Sequence, residues 1–351
     1  MRGSSTLQPG LLDTWLLSPL LLLPHESNRA QVEDHSTWPV ADYLQFEEGR
    51  SSSMFADAYT KASQFTLPVV ISHRRHDGIC LASIGTFVMI NSDGWAVTAL
   101  HIIEEIERLT KAAEQFQADE KARQKIYADS SLDKKVRGKS LKAIPQPQAD
   151  TVTHVSPWWG SDQTRFTKYI GVPAVDLAFV HFDPFKAAST FSPPTFKDPQ
   201  KPMPHGRSLC RIGFPFHEIQ PTFDDKLNGF HLPPGALPMP LFPNEGIFTR
   251  IVEVVPQPAP DPPAPFKFRL LETSSPGLRG QSGGPIFDAQ GTIWAIQSRT
   301  VHFPLGFSPP VPNGKPNEKE HQFLNIGWGV HVETIVGTMR DFGISFALST
   351  Y

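Results

Sequence analysis

From about residue 65 onward, short apolar runs alternate with Gly-, Pro-, Asn- and Asp-rich breaks. TLPVVISH (66–73), ICLASIGTFVMI (79–90) and GWAVTALH (94–101) are rich in the β-branched and aromatic residues that suit a half-buried pleated surface, and they predict strands. Asn91-Ser92-Asp93-Gly94 reads as the hairpin turn between two of them. The period then changes. Ile102, Ile106, Leu109, Ala113 and Phe116 recur at spacings of 3 and 4, which predicts an amphipathic helix over about 102–127 that starts directly after His101. Glu104–Arg108 and Glu107–Lys111 are expected as its i,i+4 ion pairs. Charged residues fill the chain through about 142, so this stretch reads as an insertion. Strands resume at AVDLAFVHF, a Pro-rich connector occupies 186–204, and further strands follow at SLCRIGFPF, IFTRIVEVV, FKFRLLET, GPIFDA, TIWAIQS and FLNIGWGVHV. Pro-rich loops at 232–243 and 256–265 separate some of these. Two groups of about six short strands predict an all-β protein of two packed barrels. The first spans 65–185 and carries the insertion at about 102–142; the second spans 205–345, with a tail at 346–351.

Composition narrows the function classes. The 35 Pro and 25 Gly argue against long helices throughout, because Pro is confined to turns, edges and helix starts. With 32 Lys and Arg against 35 Asp and Glu, the net charge is −3, so no basic field exists to hold nucleic acid. Two cysteines, Cys80 and Cys210, exclude a disulfide framework and a Cys-based zinc cluster and leave a single bridge open; both fall in strand-like runs and are expected as buried thiols. Residues 1–64 read as an N-terminal extension. Within it, LLDTWLLSPLLLL (11–23) has the length of a signal-peptide core, but Asp13 and Pro19 interrupt it, only Arg2 precedes it, and no A-x-A site follows. It is too short and broken to span a bilayer, so no integral membrane span is expected. The cysteine usage suits a cytoplasmic location; a secreted or periplasmic one would follow if 11–23 acted as a signal.

The sharpest chemical signal is Gly280-Gln281-Ser282-Gly283-Gly284-Pro285. From average Gly and Pro usage, G-x-S-G-G-P arises about once in a few thousand such chains. Flanking glycines let a substrate backbone approach the serine, and free backbone N–H groups in such a turn can gather around a developing oxyanion. The hexapeptide also satisfies the G-x-S-x-G elbow of α/β-hydrolases. That elbow requires a helix after the serine and an acid and a histidine later in the chain. Here strand–turn–strand follows, and the strongest candidates, His101 in AVTALHII and Asp176 in AVDLAFV, lie upstream. Each singly reads as a satisfied core histidine or a strand-end cap. What sets them apart is the order His, Asp, Ser within these local runs.

On these residues the chain resembles the chymotrypsin-like serine peptidase superfamily over most of 65–340. GWAVTALH is similar to that family's segment carrying the base, VDLAFVHF to its D-[IL]-A segment, and GQSGGPIFDAQGTIWAI to its nucleophile loop and following hairpin. CRIGFPF and GWGVHVETI resemble bacterial HtrA-like peptidase domains more than digestive enzymes. The resemblance implies two packed antiparallel six-stranded barrels. It also implies a serine endopeptidase acting through His101, Asp176 and Ser282, with Gly280 and Ser282 as oxyanion donors and no cofactor or metal. Two departures stand out. No PDZ domain of the HtrA kind is expected to accompany this peptidase domain, and the 75 residues from His101 to Asp176 exceed the group's usual interval.

Further expectations follow from the resemblance. Pro276 takes the place of the specificity-pocket floor, where an acid would recruit Lys or Arg; Ser298, Arg299 and Thr300 would line the pocket and pair with substrate. Thr300, where large-pocket relatives carry Gly, would narrow the entrance, so small or medium apolar residues are expected before the cut. Gln281 stands where digestive relatives carry the acid that binds a new N-terminus, so activation by that route is not expected. Protein or peptide substrates are implied. Because the helix starts directly after His101, the insertion reads either as the docking element of a regulatory protein partner or ligand or as a passive, solvated insertion with one face packed on the barrel. The competing reading is a catalytically idle binding module on the same fold. His73, His76, His205, His217, His231, His302, His321 and His331 lack metal-ligand spacing and read as surface or loop residues. Trp158 and Trp159 are expected to pack on the first barrel.

Overall fold

The computed structural model describes residues 54–161, 164–187, 191–256, 264–312, 315 and 319–351. The hydrophobic run at 11–23 and most of the N-terminal extension lie outside the described residues, as do 257–263 of one Pro-rich loop.

The described chain opens with α1 (Ala56–Ser63), whose Ala58 and Ala62 are buried. Antiparallel strands β1 (Thr66–Arg75), β2 (Cys80–Met89) and β3 (Trp95–Ala99) follow. The β2–β3 turn is the Asn91–Gly94 segment: Asn91 Oδ1 accepts from the Asp93 and Trp95 amides, and Gly94 takes φ +86°, which glycine adopts without a Cβ penalty. Next come α2 (Leu100–Ala128), α3 (Lys134–Lys142), β4 (Val152–Trp159), β5 (Phe166–Val172), a 3₁₀ turn at Pro173–Val175 and β6 (Leu177–Phe182). The first sheet runs β4-β1-β2-β3-β6-β5. It curls so that its two edge strands meet through stacked Trp159 and Phe166 rings, 6.0 Å apart.

The second half contains β7 (Thr195–Phe196), β8 (Ser208–Arg211), β9 (Thr222–Asp224), β10 (Gly229–His231), β11 (Asn244–Glu253) and β12 (Arg269–Thr273). It continues with β13 (Pro285–Phe287), β14 (Ile293–Pro304), β15 (Phe323–His331), α4 (Val332–Asp341) and β16 (Ala347–Leu348). The ring β13-β8-β11-β12-β15-β14 closes because β13 also pairs with β14, giving an antiparallel six-stranded barrel. Strands β7 and β16 add to it in parallel, so residues set apart by sequence as connector and tail supply two short strands. The expected double-barrel, chymotrypsin-like architecture is therefore present. Its main core is continuous, running from Val69, Phe87 and Phe179 of the first barrel to Ile296, Val330 and Ile335 of the second half.

Several local expectations need correction. Helix α2 begins at Leu100 rather than after His101, so His101 occupies its first turn. The expected i,i+4 pairs do not form. Arg108 pairs with Glu105 at i,i+3 (2.8 Å), and Glu107 accepts from the Tyr169 hydroxyl (2.8 Å), because β5 lies alongside the helix and offers a fixed donor. Cys80 is only half-buried, at the start of β2; Cys210 is buried, and both thiols are free. His331 is not a surface residue: it is buried, and its Nδ1 caps α4 by accepting from the Glu333 amide. Burial and the Arg269 charge push its pKa down to about 4, which keeps the ring neutral and able to accept. Trp159 packs against Phe87 and Phe182 as expected.

Candidate active site

His101 and Asp176 meet where two strand ends converge. Strand β3 pairs with β6 in the register Ala99↔Leu177, which places the residues just beyond each pair, 101 and 176, side by side. Asp176 ends the 3₁₀ turn in a left-handed conformation (φ 60°, ψ 50°), which Asp and Asn tolerate better than most residues. Its carboxylate accepts from the His101 amide at 2.9 Å and faces His101 Nδ1 at 2.9 and 3.1 Å. Its backbone oxygen accepts from the Leu100 amide at 3.2 Å. The helix that opens at Leu100 is thus tied to the carboxylate through backbone and ring together.

The electrostatics follow from this contact. Burial alone would lower the His101 pKa, but the hydrogen bond and charge of Asp176 outweigh it and hold the imidazole above its ordinary value. Burial alone would raise Asp176. The His101 hydrogen bond and charge, the Ser298 hydroxyl and the His101 amide together bring it below the usual carboxylate range. With Nδ1 facing a carboxylate, the proton belongs on Nδ1, and Nε2 is left with a free lone pair.

Ser282 comes from the other barrel, on a loop docked against β2. The Thr86 amide donates to the Ser282 carbonyl (2.9 Å), the Thr86 hydroxyl to the Gly280 carbonyl (2.7 Å), and the Thr98 hydroxyl to the Thr86 carbonyl (2.7 Å). Gly283 has φ +84°, and a Cβ there would overlap the Thr86 carbonyl oxygen, so only glycine permits the approach. Two turns shape the loop: the Gln281 amide bonds the Leu278 carbonyl and the Gly284 amide bonds the Gln281 carbonyl, both at 2.9 Å. The Gly280 and Ser282 amides donate to no protein group among the described residues. The Ser282 hydroxyl donates weakly, at 3.4 Å, to the Ser298 carbonyl and not to His101.

Ser298 joins the two halves of the site. Its hydroxyl donates to Asp176 Oδ2 at 2.7 Å while its carbonyl accepts from Ser282. Sequence reasoning placed it only in a pocket wall, because a contact between barrels leaves no local signal. Gln281 is fully buried and satisfied inside the loop: Oε1 accepts from the Leu278 amide (2.9 Å), and Nε2 donates to the Phe242 carbonyl (3.2 Å).

Beside Ser282 lies a cavity of about 350 Å³ whose wall includes Pro276, Ser298, Arg299 and Thr300. Thr300 Oγ1 donates to the Gly277 carbonyl at 2.6 Å, tying one wall to the other. The same wall contains Arg279, Gln297 and His302, none of which the sequence reading assigned to the pocket. Arg279 was within reach, since it directly precedes Gly280. Among the described residues, no group of three or more His, Cys, Asp or Glu is placed to hold a metal ion, and no helix is long and apolar enough to cross a membrane.

The trypsin-like peptidase domain family matches residues 85–296, more than half of the chain and a span that includes His101, Asp176 and Ser282. No curated protein sequence is significantly similar to it. Among solved structures it is similar to the active form of the Rv3671c protease from M. tuberculosis, at 12% identity and a TM-score of 0.42, over 92% of this chain and 98% of that one. It is also similar to Deg5 (14% identity, TM-score 0.43, 87% of this chain and 99% of that one). A third is the HtrA-type protease AlgW with a tripeptide (13% identity, TM-score 0.39, 83% of this chain and 64% of that one).

Proposed function

The chain belongs to the trypsin-like peptidase domain family, and we propose that it is a serine endopeptidase using Ser282 as nucleophile, His101 as base and Asp176 as orienting carboxylate. The observation that carries this reading is the double contact of Asp176 with the His101 ring and amide at 2.9–3.1 Å. It holds the one imidazole tautomer able to take a proton through Nε2. A serine hydroxyl is a weak nucleophile until a base removes its proton as the new bond forms. Ser282 Oγ attacks the peptide carbonyl, its proton passes to His101 Nε2, and the negative oxygen settles on the Gly280 and Ser282 amides. His101 then returns the proton to the leaving amine, and water releases the acyl group by the same steps. Each oxyanion donor is worth about 2.7–4 kcal/mol to such a transition state.

The Ser282 hydroxyl rests on the Ser298 carbonyl, so it must turn toward His101 before attack. Catalytic hydrogen bonds are often loose before substrate binds. This rest position is also what the idle binding-module reading would draw on. Because His101 sits in the first turn of α2, a partner or ligand that shifts this helix would move the base, and the insertion is the natural seat of regulation. A pre-steady-state burst with an activated ester separates the two readings. The peptidase gives a burst equal to the enzyme concentration, lost in Ser282→Ala. Wild-type protein with no burst and no turnover, with or without added peptide ligands, supports the binding module.

A further inference from the structure

The cavity beside Ser282 carries an unbalanced charge. Arg279 and Arg299 both stand in its wall, both are exposed, and neither has a carboxylate partner among the described residues. Several other arginines pair with acids, Arg74 with Asp225, Arg250 with Glu272, and Arg269 with Glu253 and Glu333, while Arg207 and Arg211 bond uncharged groups instead. His302 stands in the same wall, its Nδ1 engaged by Asn325 Oδ1 at 2.5 Å. No Asp or Glu lines the cavity, and Pro276 offers no charge of its own. Arg299 is close enough to the catalytic centre for its charge to oppose protonation of His101, so its field reaches the reacting groups.

We propose that this cavity is the primary specificity pocket and that it takes a carboxylate side chain, so that the enzyme cleaves after Glu or Asp. The proposal rests on the serine peptidase reading and departs from the sequence-based expectation of small or medium apolar residues before the cut. Its volume of about 350 Å³ admits any single side chain, so charge and hydrogen bonding decide the choice rather than size. Gln297 also stands in the wall, but its unpartnered Oε1 is closed off from solvent and is not presented to a substrate side chain. The two guanidinium groups without carboxylate partners favour the acid. Exposed ion pairs contribute only a few-fold each, so about tenfold is expected from Arg279 and Arg299 together.

The test uses the full-length protein and four peptidyl diphenyl phosphonates that differ only in the terminal side chain: Glu, Gln, Leu or Lys. Each can phosphonylate Ser282, with phenoxide leaving, and the labelling rate is read by intact mass. Glu and Gln match in shape, so their ratio isolates charge. The Glu reagent is expected to react about tenfold faster than the Gln reagent at low salt and Lys slowest, with the Glu advantage shrinking as salt screens it. Arg279→Gln and Arg299→Gln should each cut the Glu/Gln ratio a few-fold. Faster labelling by Gln or Leu than by Glu would overturn the acidic pocket and leave the serine peptidase reading standing. A Glu preference unmoved by both arginine replacements would overturn the assignment to this cavity. Labelling by none of the four would overturn the peptidase reading and this proposal with it.

Discussion

Replacing Asp176 with Asn separates the charge of this residue from its shape. Asn is the right probe because position 176 has φ 60°; an alanine there would add roughly 1–2 kcal/mol of left-handed backbone strain and confuse the result. The carboxylate accepts from the His101 amide, His101 Nδ1 and Ser298 Oγ. Asn keeps one acceptor oxygen and presents an NH₂ group to the others. If that NH₂ faces Nδ1, the imidazole proton moves to Nε2 and the base is blocked; in serine peptidase triads this change costs about 10⁴ in kcat. The pH dependence should shift as well. In the wild type, Asp176 holds the His101 pKa above 6.5, so activity rises with pH through a value above 6.5. In Asp176→Asn burial and the Arg299 charge lower the His101 pKa against Glu104 alone, and the residual activity should rise through a lower pH than in the wild type.

Stability supplies an independent reading of the same pair. The raised His101 pKa contributes stability that is fully present below about pH 6.5 and lost as pH rises through the folded value. The lowered Asp176 pKa contributes stability that is present above about pH 3.9 and lost as pH falls through the folded value. Both are present together only between about pH 4 and 6.5. There the loss on Asp176→Asn, about 1–3 kcal/mol for a hydrogen-bonded charged group, should exceed the loss at pH 8 or pH 3 in urea unfolding. A loss independent of pH, together with an unshifted activity profile, would show that His101 and Asp176 are not electrostatically coupled.

Other consequences follow from the loop and the insertion. Gly283→Ala, which combines left-handed strain with overlap on the Thr86 carbonyl, should abolish the acyl-enzyme burst while the far-ultraviolet circular dichroism of the barrels persists; a full burst would mean that the loop need not dock on Thr86. Tyr169, with its pKa pushed up to about 12 by burial and by Glu107, remains a donor to Glu107 throughout the working pH range. Tyr169→Phe should therefore loosen α2, lower kcat a few-fold and cost about 0.5–1.5 kcal/mol in stability; unchanged kcat would favour a passive insertion. Because Gln281 is satisfied within the loop, a chain starting at residue 54 behind an initiating Met should match the full-length protein in burst amplitude. Activity that appeared only after cleavage to a specific new N-terminus would contradict this.

Strands β1, β2, β3 and β6 were legible because each is a β-branched or aromatic run with a buried stretch and a turn at its end. Strand β5 was not. Its residues are mostly exposed, so FTKYIGV lacks the apolar alternation of a core strand. Strand β4 contains Pro157, which argues against a strand unless it lies at a sheet edge, and β4 is an edge strand of the first sheet. The three-residue strands β9 and β10 are too short for any period to show. Helix α4 carried a readable signal that was overlooked: Val332, Ile335, Val336 and Met339 recur at helical spacing and are all buried. At the site, His101, Asp176 and Ser282 could be picked out because each lies in a distinctive local run. The bridging role of Ser298, the seat of the loop on Thr86 and the charge of the cavity wall arise only when distant segments meet, and no short window of sequence contains them.

Whether Ser282 is an activated nucleophile is answered most directly by fluorophosphonate labelling of the full-length protein, read by intact mass and peptide mapping across pH. The expected result is a single adduct per chain, mapped to Ser282, that forms faster as pH rises through the raised His101 pKa and is absent from Ser282→Ala and His101→Ala. No adduct on folded wild-type protein, or an adduct that persists in Ser282→Ala, would contradict the assignment of this site.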